Sequence, residues 1–273
     1  MAKRYRQNRH PVMRLVVALA MLNVIFPLLI LVVWCFVSAW PFPQIIPTAW
    51  TLRGIAQLFG PHSDLGQILF SSLLISLIVA FLAVVLATLA AQAFTNYHFP
   101  GKRLLDFLVL LPIIVPATAF GMGVHVLFIK IGLTQTVTGV IIVHLMCAIP
   151  YSIRIMTDVT GVLGRSLMEQ ALVLGSSPLK AFFQVAMPPL LPGMVAAASM
   201  AFIISYGNYF LTLLLGGGQV KTLATVMVPV IAGGDRTISA AYAVFYVLTA
   251  FLVFLLFDLI GRKLTKNRKT YLM

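Results

Sequence analysis

Long runs of apolar residues, separated by short polar connections, set the pattern of this 273-residue chain. The runs do not alternate with polar positions as barrel strands would. Several reach the roughly twenty residues that an α-helix needs to cross a hydrocarbon core of about 30 Å. Six spans are predicted, at about 15–40, 68–95, 104–129, 134–153, 187–215 and 239–260. The first is much longer than the roughly 7–15-residue apolar core of a cleavable signal peptide, so it is read as an uncleaved span. The pattern implies an all-α integral membrane protein: one six-helix transmembrane domain over 15–260, flanked by a basic start at 1–14 and a basic tail at 261–273.

Charge adds an orientation. Of the 19 Lys and Arg, all but Arg53, Lys130, Lys221 and Arg236 lie before span one, after span six or in the connections 96–103 and 154–186. Basic residues concentrate on the cytoplasmic side of a membrane, so both termini are expected there, as an even number of spans requires. The net charge of +13 then follows from topology and from contact with anionic headgroups, and does not point to nucleic acid.

Several chemistries are missing. There is no GxxxxGK[ST] loop, and the glycine run Gly216–Gly217–Gly218 sits at the outer end of span five, so the chain does not bind nucleotide by that device. Cys35 and Cys147 lie inside spans without a CxxC pattern and read as small core fillers. His125 and His144 are solitary, with no carboxylate at ligand spacing, and read as satisfied or cavity-facing histidines; no metal site is expected. Nothing forms a nucleophile, base and orienter set, so no catalytic residue is expected. Asp106 and Asp258 fall at the cytoplasmic ends of spans three and six, leaving no mid-membrane carboxylate for a proton path. No internal repeat is visible.

Within the spans, Ala80, Ala83, Ala87 and Ala91 recur three or four apart on one face of span two, which suits close packing on another helix. Pro112, Pro116 and Pro150 are expected to kink or unwind their helices. Span five carries "SYGNYFLT", placing Ser205, Tyr206, Asn208 and Tyr209 among apolar neighbours. Polar groups in hydrocarbon are costly, so these four should face a bundle interior or an aqueous pathway. The glycine-rich, moderately apolar stretch 216–237 has the character of a re-entrant or gate-capping segment.

Residues 154–187 form a long polar connection between spans four and five. Val159, Val162, Leu163, Leu167, Ala171, Leu172 and Leu174 recur at helical spacing, which predicts a cytoplasmic amphipathic helix. Gly175 should end it, because glycine takes the left-handed conformation that other residues resist. Ser176 or Ser177 can cap a second short helix that has Pro178 in its first turn and runs through Phe182 and Phe183, before Pro188 and Pro189 open span five. Apolar residues at the tip of such a hinge imply a partner.

Glu169, Ala171, Gly175, Val185, Met187 and Pro188 fall at the spacing of the EAA motif, and the chain resembles the permease subunits of binding-protein-dependent ABC importers, the MetI-like fold. Gln170 stands where the family usually has alanine, and Val185 and Met187 replace the commoner isoleucine and leucine. The resemblance extends over six spans with both ends inside, and implies a MetI-like bundle with a cytoplasmic coupling helix between helices 4 and 5. It implies ATPase coupling through Glu169, Ala171, Gly175 and Pro188. The implied partners are ATP-binding cassette subunits carrying ATP and Mg, a second permease in a heterodimer, an extracytoplasmic solute-binding protein and the bilayer. The chain itself would carry no cofactor, and would reside in a bacterial cytoplasmic membrane. A self-sufficient secondary carrier or channel subunit is the alternative, and a membrane scaffold that recruits a soluble protein is a third reading.

The span-five sequence looks most like the second permease of spermidine/putrescine-type systems, a subgroup that also takes in phosphonate, thiamine and ferric-ion importers. The polyamine members commonly have an acidic residue after the serine–aromatic pair of span five. This chain has Gly207 and Asn208 there, and no interior carboxylate for a polycation.

Overall fold

The computed structural model describes residues 11–41, 43–61 and 63–269. Lys3, Arg4, Arg6 and Arg9 of the basic start, the side chains of Lys266, Arg268 and Lys269, and residues 270–273 of the tail lie outside the described residues. The chain divides into two compact units, Met1–Ser63 with Pro229–Val247, and Asp64–Val228 with Leu248–Met273.

The smaller unit begins with α1 (Pro11–Trp34), followed by β1 (Val37–Ala39), β2 (Ala49–Trp50) and α2 (Arg53–Leu58). Span one was expected to run to residue 40, but helix stops at Trp34 and the chain turns into an antiparallel ribbon pairing Val37 with Trp50 and Ala39 with Ala49. Pro41, Pro43 and Pro47 supply no backbone N–H and favour extended neighbours, so the segment cannot continue a helix. The ribbon is pinned by Thr237, whose hydroxyl donates to the Val37 carbonyl at 2.5 Å. Cys35 is buried beside Ala240 and Ala241, as a small core filler should be.

The larger unit holds α3 (Leu65–Asn96), α4 (Lys102–Ile114), α5 (Ala117–Lys130), α6 (Val137–Leu163), α7 (Ser166–Val173), α8 (Pro178–Ala181), α9 (Met187–Tyr206) and α10 (Tyr209–Gly216). A short helix, α11 (Leu223–Ala232), and a long one, α12 (Arg236–Lys269), complete the chain. The core of this unit is made where α3, α6 and α9 pack together. Ala80, Ala83, Ala87 and Ala91 are all buried on α3, as their spacing predicts. Ala87 and Ala91 join Ile153 and Met156 of α6 and Leu190 and Ala197 of α9 in one apolar cluster. Methyl-sized side chains let the backbones approach, which is how helices gain dispersion contact where lipid is as apolar as the protein. At Gly193 α9 lies close on α6, since a Cβ there would lie 2.9 Å from Val159 Cγ2.

Five described helices are long and apolar enough to cross a membrane, and a sixth crossing results if α4 and α5 count as one. That pair is bent by 107°, where the sequence predicts one span over 104–129. Pro116 causes the bend: the preceding Val115 is extended, at φ −76° and ψ 133°, as the proline ring demands. Pro112 and Pro150, by contrast, lie within unbroken helices. α6 therefore runs on to Leu163, so Val159, Val162 and Leu163 belong to it and not to a separate amphipathic helix.

Candidate functional site

The connection between α6 and α9 is a helical hinge. α6 ends at Gly164, which sits at φ +66°, and α7 starts two residues later. α7 terminates as its sequence predicts, with Gly175 at φ +85°. The Gly175 N–H donates to the Leu172 carbonyl and the Ser176 N–H to the Ala171 carbonyl, each at 3.0 Å. These two bonds form a Schellman motif, which satisfies carbonyls that the end of a helix leaves without partners.

Ser177 occupies the position before α8, but its side chain makes no capping hydrogen bond; its carbonyl accepts the Ala181 N–H at 2.8 Å instead. Pro178 stands in the first turn, as expected. No break separates α8 from span five. A π turn over Phe182–Ala186 joins α8 directly to α9, so helix continues from Pro178 to Tyr206. Pro188 and Pro189 account for the π turn: each lacks an N–H and crowds the carbonyl four residues earlier, at Gln184 and Val185, and a wider turn relieves the clash. Pro188 thus lies inside a continuous helical stretch and does not open a new one.

α7 packs against α8 and the π turn. Ala171 is buried, so its methyl lets α7 lie close on its own chain. Glu169 is exposed. Val173 and Leu174 are each 87% exposed and Leu179 is 73% exposed, and they form an apolar tip around the glycine turn. A cavity of about 490 Å³ lies beneath, to which Gln92, Asn96, Thr160, Arg165 and Glu169 contribute polar groups. The Arg165 guanidinium carbon stands 5.1 Å from the Tyr97 ring centroid, tying the start of α7 to the residue that follows α3. Neither partner was singled out from sequence, because nothing local to either residue signals the other.

The second candidate region is the "SYGNYFLT" stretch. It was predicted to lie within one span over 187–215, but α9 ends at Tyr206 and α10 begins at Tyr209. Asn208 makes the break: its backbone leaves helix at ψ 89°, and its side-chain oxygen accepts the Leu211 N–H at 3.2 Å, capping α10. Ser205 and Tyr206 are buried, and their hydroxyls bond within the chain. Ser205 meets His144 Nδ1 at 2.9 Å, and Tyr206 meets Thr249 at 2.6 Å. Asn208 and Tyr209 are partly exposed. His144 Nε2 is 2.9 Å from the Thr212 hydroxyl, so this histidine is satisfied at both nitrogens. His125 is different, with a buried Nδ1 that has no partner among the described residues.

The fold is that of a polytopic helical membrane protein with a helical hinge exposed between its fourth and fifth spans. The chain belongs to the family of binding-protein-dependent transport system inner membrane components, which matches residues 83–266. It is a MetI-like permease subunit of an ABC importer and a multi-pass inner-membrane protein; in this family ATP hydrolysis belongs to a separate subunit. A probable ABC transporter permease protein of Pyrococcus horikoshii is 27% identical over 81% of this chain and 84% of its own length. The trehalose transport system permease protein SugB of Mycobacterium tuberculosis is 30% identical over 71% of this chain and 70% of its own. The sulfate transport system permease protein CysT of Salmonella typhimurium is 29% identical over 68% and 73%. In fold the chain is similar to a bacterial ABC transporter involved in the import of the acidic polysaccharide alginate, with a TM-score of 0.66 at 15% identity, over 90% of this chain and 94% of that one.

Proposed function

We propose that this chain forms half of a solute pathway driven by ATP, and that the hinge 164–187 is where a separate ATPase acts on it. The observation that carries this reading is the hinge itself: an exposed Glu169 beside an apolar tip of Val173, Leu174 and Leu179, around a glycine turn. Exposed apolar side chains of that number gain stability when covered, and a charge at the rim gives the cover its register. Glu169 makes a polar or ionic contact with the ATPase, Gly175 holds the turn, Ala171 lets α7 seat closely, and Pro188 stiffens the path into α9. Both termini and the hinge are cytoplasmic. The complex contains two ATPases binding ATP and Mg, a second, different permease, and an extracytoplasmic binding protein that delivers solute. Asn208 and Tyr209, partly exposed at the break of span five, are the pathway residues of this subunit, with Ser205 and Tyr206 behind them.

The solute is a small polar compound of the kind handled by the polyamine, phosphonate, thiamine and ferric-ion subgroup. Gly207 and Asn208 in place of an acidic residue favour a neutral, zwitterionic or anionic solute over a polycation. Two relatives named for sulfate and for trehalose transport are compatible with such a range.

The test is to purify the chain with its neighbours and measure solute uptake into vesicles. Co-purification of an ATPase and dependence of uptake on ATP are expected. Glu169→Lys and Gly175→Pro should abolish uptake while the protein still inserts. Uptake that needs no ATP would favour a self-sufficient carrier or channel, and normal uptake in both variants would sink coupling through the hinge.

A further inference from the structure

The continuous helix that leaves the hinge at Pro178 stops at Tyr206, and a push delivered there has no helical backbone to follow across Gly207 and Asn208. At a rise of about 1.5 Å per residue, the 29 residues of this stretch reach far into the membrane. α10, beyond the break, is a separate short element.

One side chain bridges the gap. His144, on α6, is 1% exposed. Its Nδ1 meets Ser205 on α9 at 2.9 Å, and its Nε2 meets Thr212 on α10 at 2.9 Å. Ser205 and Thr212 are themselves 3% and 0% exposed, so water does not compete.

The proton inventory gives this bridge a direction. The Thr212 hydroxyl donates its one proton to the carbonyl of Asn208, the residue that caps α10. Toward His144 it can therefore only accept, so Nε2 carries the proton and Nδ1 is the acceptor that takes the Ser205 proton. Every group has one role, and the neutral ring fills an acceptor site and a donor site at once. A single bond to either helix would not join them. The two together replace the ladder that the break removes, and buried bonds of this type resist opening because each lost partner leaves a desolvated polar group behind.

We propose that His144 is a positioning residue that carries movement of α9 across the break to α10, so that the hinge and the far end of span five move as one with α6. This rests on the coupling role proposed for the hinge. Without the bridge, ATP would still be hydrolysed when the binding protein docks, but less of each cycle would reach the pathway.

The experiment uses the complete importer in proteoliposomes and reads solute transported per ATP hydrolysed. For His144→Leu and His144→Phe, transport per ATP should fall about tenfold, the factor that corresponds to 1.4 kcal/mol, while ATP hydrolysis stimulated by the binding protein persists. His144→Gln, whose amide offers one acceptor beside one donor, should restore transport per ATP to near the parent value. A role in packing alone would not separate glutamine from leucine in this way. Ser205→Ala and Thr212→Val, each removing one end of the bridge, provide the same readout if the leucine and phenylalanine variants do not insert. Parent-like coupling in the leucine and phenylalanine variants, or in both end variants, overturns the inference. So does a glutamine variant as uncoupled as leucine. Absence of ATP-driven transport by the parent complex overturns the coupling reading instead, and the two failures are therefore distinct.

Discussion

The Ser176 N–H donates to the Ala171 carbonyl at 3.0 Å, closing a six-residue turn that reverses the chain between α7 and α8. The bond requires Gly175 at φ +85°, a region in which any side chain with a Cβ is crowded. Gly175→Ala should cost about 1–2 kcal/mol at the hinge, Gly175→Asn less, and Gly175→Val more. Hydrogen exchange of amides 166–181 checks this, with faster exchange expected in the order Asn, Ala, Val. Nothing lies within 4 Å of the site a Cβ would occupy, so the effect should be conformational, and equal exchange in all four proteins would contradict it.

At Gly193 the limit is space. A Cβ there would lie 2.9, 3.0 and 3.1 Å from the Val159 side chain, and valine, branched at Cβ, cannot swing away as a longer chain could. Gly193→Ala should destabilise the α6–α9 contact by about 1–3 kcal/mol. In a Val159→Ala background the same change should cost less, because both Cγ contacts go and only the 3.1 Å contact with the Cβ of residue 159 remains. Thermal unfolding in detergent of the four proteins measures the coupling between the sites. Simple additivity would show that the two helices have room to part.

Part of this arrangement was legible in the sequence. The alanine face of span two is a period, and periods survive translation into structure because they need only one helix to have meaning. The turn at Gly175 and the proline in the first turn of α8 are equally local. Proline effects were only half legible, because Pro116 breaks a helix while Pro112 and Pro150 do not. What decides is whether the displaced carbonyl finds relief, and at Pro188 and Pro189 a π turn supplied it. The break at Asn208 was hidden by the apolar residues around it. Of the four polar residues of that stretch, Ser205, Tyr206 and Asn208 find hydrogen-bond partners within the chain, but Ser205 and His144 are 61 positions apart, and a single sequence holds no sign of such a pairing.

Asp235 performs two tasks in the smaller unit. One carboxylate oxygen meets Arg53 at 2.6 Å, and the other accepts the Ile238 N–H at 3.1 Å in the first turn of α12. The ion pair is open to water, with the arginine side chain 56% exposed, and exposed pairs contribute about 0–1 kcal/mol. A capping bond contributes about 1 kcal/mol. Arg53→Ala should therefore be mild, Asp235→Ala clearly worse, and Asp235→Asn intermediate, because asparagine keeps the cap and loses the charge. Chemical unfolding at low and high salt tests the ranking. Salt should narrow the gap between the parent and Arg53→Ala and leave the Asp235→Ala deficit in place.

Ser72 decides how the segment before α11 is held. Its hydroxyl donates to the Ile68 carbonyl at 2.7 Å and accepts the Leu223 N–H at 2.7 Å. Ser72 is 2% exposed and Leu223 0%, so water cannot substitute for either bond. The Leu223 amide opens a helix, where no carbonyl of a preceding helical turn is available to it. Ser72→Ala thus strands a buried donor, with an expected cost of about 1–3 kcal/mol, although serine and alanine are nearly equal in volume. Ser72→Thr keeps the hydroxyl and should lose less, provided that its extra methyl fits. The deciding measurement is exchange at the Leu223 amide together with thermal unfolding in detergent. If Ser72→Ala leaves both unchanged, the glycine-rich loop is held by its apolar contacts, and the 151-residue contact between α3 and the start of α11 is incidental.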